Sequence, residues 1–68
     1  MSVYKVIELV GTSSQSWEDA AKASLATASK SLKDLRVAEV TKLDIVLDEK
    51  GEAARFRTKL NVSFKVRP

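Results

Sequence analysis

Two groups of charged side chains are the candidates for chemistry. Arg55, Arg57, Lys59, Lys65 and Arg67 share one parity of a single segment, and residues 54–68 hold these five cations and no anion. Such a stripe suits phosphate, on a nucleic acid or a phosphorylated ligand. It equally suits the solvated face of a sheet, with Glu8, Glu39 and Asp44 as ion-pair partners, and that plainer reading has the greater weight. The second group is Asp44, Asp48, Glu49 and Glu52, in a stretch with one lysine. Hard cations take several oxygens, which a hairpin can offer, although the spacing is not that of an EF-hand. A solvated turn is the plainer alternative. In a symmetric oligomer, one carboxylate per copy can converge on an axis. The lone Trp17 reads as a core or interface anchor rather than a ligand platform. Cysteine and histidine are absent, which excludes a disulfide scaffold, a zinc finger and the Ser-His-Asp or Cys-His triads. No face pairs two carboxylates beside a pocket and no activated nucleophile stands out, so no enzymatic activity is expected.

The positioning elements follow from periodicity. Val3 to Val10 reads as a first strand. Gly11 and the run Thr12 to Ser16 form a break, where Ser14 or Ser16 can cap a helix and Glu18 and Asp19 suit its first turn. Trp17, Ala21, Leu25, Ala28, Leu32 and Leu35 recur at steps of three and four, predicting a helix from about Ser16 to Asp34. Ala20, Ala23 and Ala26 keep it thin. Val37 to Asp48 reads as a long second strand. Ala38 and Val40 share one parity and Leu43, Ile45 and Leu47 the other, which predicts a β-bulge near Thr41-Lys42. Asp48 to Glu52 is a hairpin loop, with Gly51 free to take positive φ. In the last strand Ala54, Phe56, Thr58, Leu60, Val62, Phe64 and Val66 alternate with the basic stripe, so one face meets a core. The order β-α-β-β predicts an α+β fold, a three-stranded antiparallel sheet of order 1-3-2 partly wrapping one helix.

Length sharpens the question. Sixty-eight residues make one domain, 1–68, and a domain of this size hides only about 60% of its unfolded surface. Without disulfides or a zinc site, self-association is the remaining general way to bury more. Hydrophobic residues are 44%, charged residues 31% and the net charge +3, ordinary for a soluble chain. No apolar run approaches a membrane span, and Tyr4, Lys5 and Glu8 interrupt any signal-peptide core. The expectation is a soluble, cytoplasmic protein with no membrane partner.

Element order and local strings together resemble the dodecin family. The strings are Val6-Ile7-Glu8-Leu9-Val10-Gly11-Thr12-Ser13, the alanine-rich helix, Ala38-Glu39-Val40 and Val62-Ser63-Phe64-Lys65. The resemblance implies a hollow homododecamer that acts in binding or storage rather than catalysis. Most dodecins stack flavins between tryptophans. The stacking position is Val37 here, the glutamine that hydrogen-bonds isoalloxazine falls at Arg57, and a basic pair that meets flavin phosphate falls at Asp44 and Lys65. Losing each stacked face removes about 1–3 kcal/mol, by analogy with base stacking. The Met1 to Ile7 start, Ser16-Trp17-Glu18, Arg36-Val37-Ala38 and the Val62 to Pro68 end resemble the flavin-deficient, calcium dodecin branch. That implies a shell binding calcium or another divalent cation, with flavin not expected. The low-specificity metal candidates are Asp44, Asp48, Glu49 and Glu52. Acidic ion-site positions of some dodecins are Gln15 and Lys42 here. Two other readings stay open: a flavin-storing dodecin with an altered pocket, in which Arg57 and Lys65 hold phosphate, and a nucleic-acid-binding module on the basic strand, the less favoured partner.

Overall fold

The computed structural model describes residues 1–67; Pro68, which closes the C-terminal string, lies outside them. Four elements follow in order: β1 (Tyr4–Ser13), α1 (Trp17–Ala28), β2 (Leu35–Leu47) and β3 (Ala53–Lys65). The sheet is antiparallel throughout, in the order β1-β3-β2. This is the expected arrangement, because a hairpin makes β2 and β3 neighbours and the helical crossover carries β1 to the far side.

The period-two strand is the spine. Thr58, Leu60 and Val62 of β3 are buried, as are Ala20 and Ala28 of α1, which packs against β1 and β3. The buried Thr58 hydroxyl donates to the Trp17 carbonyl at 2.8 Å, so its polar atom is satisfied in the core. The bulge falls at Thr41: Val40 pairs with Leu60 and Lys42 with Lys59, with one residue between them on β2 and none on β3. Two further shifts, at Arg36 and after Val46, were not expected.

Three boundaries differ from the sequence reading. The helix ends at Ala28, with Ser29 as its cap, instead of at Asp34. The stripe continues through Leu32 and Leu35, but Ser29 and Ser31 fold back on Ala26 and Ala28 carbonyls, which favours a turn. A twelve-residue helix spans about 18 Å, leaving more of the sheet bare than a longer helix would. Within it Ala20 is buried, whereas Ala23 and Ala26 are exposed. Second, β1 runs on through Gly11 to Ser13. Gly11 is buried inside the strand rather than breaking it: a Cβ there would strike the Ala20 carbonyl and lie 3.0 Å from Ser24 Cβ, so glycine permits the close approach of helix and strand. Third, β2 begins at Leu35, two residues early. Asp34 precedes it with φ 61°, a left-handed conformation that aspartate tolerates better than most residues.

Of the two proposed caps, Ser16 serves: its Oγ accepts from the Asp19 amide at 3.0 Å, while Ser13 Oγ donates to the Asp19 carboxylate at 2.6 Å. Helix α1 lies over β1 and β3 and scarcely touches β2.

Candidate functional site

Cα partners share a face of a sheet, so the register sorts the candidates. Val37 pairs with Ser63, Asp44 with Arg57, and Lys65 with Tyr4. These four flavin-pocket positions therefore all lie on the face turned away from the helix. They do not gather within one chain. Arg57 is six residues along β3 from the partner of Val37, roughly 20 Å at strand rise.

Asp44 and Arg57 are tied to each other. The guanidinium donates to both carboxylate oxygens at 2.6 Å, the two-pronged geometry that suits this pair. The Arg57 hydrogen bonds hold the Asp44 carboxyl below its usual range and push Arg57 up. Asp44 also accepts at its carbonyl from Trp17 Nε1, 2.9 Å away. Trp17 is half-buried and meets Phe56 edge to face, 5.3 Å between centroids and 78° between planes. It anchors the helix start to both hairpin strands.

Val37 is 64% exposed. It borders a groove of about 370 Å³ between the end of α1 and the start of β2, whose walls include Leu25, Ala26, Leu35, Ala38 and Val62. The groove exists because the helix leaves β2 uncovered. Its walls are mainly apolar, with Ser29 and Arg36 the polar exceptions, and none of its residues is aromatic.

The basic stripe is more divided than expected. Arg57 pairs with Asp44, and Arg67 pairs with Asp34 at 2.9 and 3.1 Å. Glu8 and Glu39 do not serve as partners; they flank Asn61 on its two sides. Among the described residues Arg55, Lys59 and Lys65 form no ion pair. The outer face is also less polar than β3 alone indicates. Tyr4, Val6 and Val10 of β1 border the stripe on one side and Val37 and Val46 of β2 on the other, with Tyr4 and Val6 49% and 62% exposed.

The carboxylates stand apart. Asp44 is taken by Arg57. Asp48 Oδ1 accepts from the amides of Lys50 and Glu52 at 2.9 and 3.0 Å, which fixes the hairpin turn with Gly51 at φ 79°. Glu49 and Glu52 are exposed at the tip, where a shallow hollow of about 600 Å³ opens. Among the described residues no three carboxylates cluster to hold a metal ion. Sequence reasoning missed the clamp at Asp34, which holds Arg67, lies 3.8 Å from Arg36, and accepts at its carbonyl from the Lys65 amide. Thirty-three residues separate Asp34 from Arg67, and no local pattern signals so distant a pair.

Comparison with known proteins places these features. The family model described as Dodecin matches residues 3–67. The chain is 50% identical to calcium dodecin of Mycobacterium tuberculosis over 68 residues, all of this chain and 94% of the relative. The crystal structure of that calcium-chelating antigen, described as having a novel calcium-binding site, superposes with a TM-score of 0.86 at 49% identity, covering 98% of this chain and 94% of the other. A Thermus thermophilus dodecin variant, with a tryptophan replaced by phenylalanine, matches at 37% identity and a TM-score of 0.91 over 100% of both chains.

Proposed function

The chain belongs to the dodecin family, and from that premise we propose that it is a non-enzymatic homododecameric binding or storage protein for cations, calcium first among them, or for a small ligand, without a stacked flavin. One observation carries the reading away from flavin: Val37 stands exposed at the rim of an apolar groove with no π face to offer. The Asp44–Arg57 pair adds to it, because a guanidinium held by a carboxylate is not free for a phosphate. Calcium comes from the relative named for it.

The residues of one chain do not complete a calcium site. Calcium takes six to eight oxygens, whereas one hairpin offers Asp48, Glu49 and Glu52, with one Asp48 oxygen already receiving two amides. The proposal therefore places the cation between copies, where Asp48, Glu49, Glu52 or Asp44 from several chains converge.

Light scattering behind a sizing column tests the shell: twelve chains of 7.5 kDa give about 90 kDa, and a monomer or dimer at neutral pH and moderate salt sinks it. Calorimetric titration of chelator-treated protein with Ca²⁺ and Mg²⁺ tests the cargo. Heat with a saturable isotherm is expected; silence in both removes the cation.

A further inference from the structure

We propose that Lys42 and Lys59 form a binding site for a phosphate group on the outer face of the sheet. The inference stands on the register and is independent of the cation reading. Lys42 and Lys59 are Cα partners on adjacent strands. Directly opposed residues have Cβ atoms about 5 Å apart, and like charges so placed destabilise a sheet. The bulge creates this opposition. In an unbroken ladder continuing from Val40 and Leu60, Thr41 would face Lys59 and Lys42 would point to the helix side. The extra residue turns Lys42 outward, and the Thr41 hydroxyl closes the bulge by donating to the Lys59 carbonyl at 3.3 Å.

Among the described residues neither lysine forms an ion pair, although Lys59 lies near enough to Asp44 to help hold its carboxyl down. The ion pairs among the described residues are Lys22–Glu18, Arg36–Asp34, Arg57–Asp44 and Arg67–Asp34. Asp44, on the next row, is held at both oxygens by Arg57. Glu8 and Glu39, on the adjacent row on the other side, flank Asn61 and form no ion pair with either lysine. Two ammonium groups carried on opposed Cα positions have six N–H donors between them, and a phosphate has the charge and oxygens to receive them from both strands. Binding would convert a repulsive pair into a cross-strand bridge.

The probe is inorganic phosphate, read by thermal melting and by ³¹P line broadening, against chloride at equal ionic strength. The variants are Lys42→Thr, which keeps a strand-favouring side chain, and Lys50→Thr, which removes the same charge from the hairpin loop. Two results are expected together. Without phosphate, Lys42→Thr melts higher than the parent because the repulsion is gone. With phosphate, the parent and Lys50→Thr gain melting temperature and broaden the ³¹P line, while Lys42→Thr binds at least about tenfold more weakly, the low end for a hydrogen bond to a charged group. If phosphate raises all three melting points alike, it acts as a general stabilising salt and the proposal is overturned. It is also overturned if Lys42→Thr melts lower than the parent without phosphate, since Lys42 is then a partner of Glu39 or Glu8 and not half of an unanswered pair.

Discussion

Asp44 is held at both of its ends, by Arg57 at the carboxylate and by Trp17 at the carbonyl, so its charge and its backbone can be tested separately. Asp44→Asn keeps the shape and the carbonyl contact and removes the charge. The carboxyl sits below its usual 3.8 in the folded chain because Arg57 hydrogen-bonds it. The unfolded chain then binds a proton at a pH where the folded chain does not, so stability rises with pH. The stabilisation is fully present above about 3.8 and disappears as pH falls through the depressed folded value. Denaturant unfolding should show the parent more stable than Asp44→Asn at pH 7 and the difference closing towards pH 2. A gap that persists in acid would mean that the ionised carboxylate is not the source of the difference. Val37 supports a second expectation at this scale. Val37→Trp supplies the missing ring, and one stacked face contributes about 1–3 kcal/mol. Micromolar flavin should be quenched by the variant and left bright by the parent; quenching by the parent would restore flavin as a ligand, and a dark result for neither protein would show that Arg57 and Asp44 also block the pocket.

Helix α1 and strand β1 meet where Gly11 passes under Ala20. Replacing glycine by alanine in a strand ordinarily stabilises, by roughly 0.5–1 kcal/mol. Here the new Cβ meets the Ala20 backbone carbonyl, which cannot rotate away, so Gly11→Ala should cost about 1–3 kcal/mol in the manner of overpacking. Urea unfolding measures it, and adding Ala20→Gly should not rescue it, because the obstructing atom is backbone; a neutral or stabilised Gly11→Ala chain would deny the close approach. The same elements show what a sequence can and cannot carry. The parity of β3 and the phase change in β2 were legible because a strand side chain has only two faces, and burying one face enforces alternation. Asp44 was legible as a partner for the basic strand because a hairpin pairs nearby residues. The helix end was not: Leu32 and Leu35 continue the stripe after the backbone has turned at Ser29, since both stay half-buried, Leu32 from irregular chain and Leu35 from the first position of β2. Gly11 reads as a break because glycine has two uses, a turn and a close approach, and only the neighbouring helix tells them apart. Tyr4, Val6 and Val10 form a second, exposed parity on β1 that the sequence reading did not separate from the inward one, because both parities are apolar there.

The whole molecule measures 52 × 20 × 15 Å with a radius of gyration of 14.0 Å, whereas a compact chain of this length has about 11 Å. The excess is the hairpin. β1 pairs with β3 only as far as Phe56, so the end of the β2–β3 hairpin is a two-stranded ribbon beyond the helix, and such a ribbon is marginal alone in water. Leu47 of this ribbon is 60% exposed, and Leu43 and Ile45, on the edge strand just before it, are 51% and 39% exposed. Leu43 and Ile45 pair with Thr58 and Phe56 and therefore point to the helix side, on the edge strand that α1, lying over β1 and β3, leaves uncovered. A chain that keeps this ribbon straight needs another surface on it, and the apolar groove beside Val37 shows that the opposite end of the same strand is equally uncovered. Burying a leucine contributes about 1.5–3 kcal/mol, and a closed shell repeats each contact in every copy, so one charge at this position is multiplied around the assembly. Leu47→Asp at the ribbon end, and separately Leu43→Asp, should shift the proposed shell near 90 kDa to small oligomers or single chains in light scattering, with strand and helix circular dichroism retained at least by Leu47→Asp, whose side chain supports little within its own chain. If Leu47→Asp and Leu43→Asp both stay at the parent's mass, this end of β2 is not what copies cover, and the proposed shell then has the Tyr4, Val6 and Val10 stripe as a remaining exposed apolar surface, which Val6→Asp tests by the same measurement.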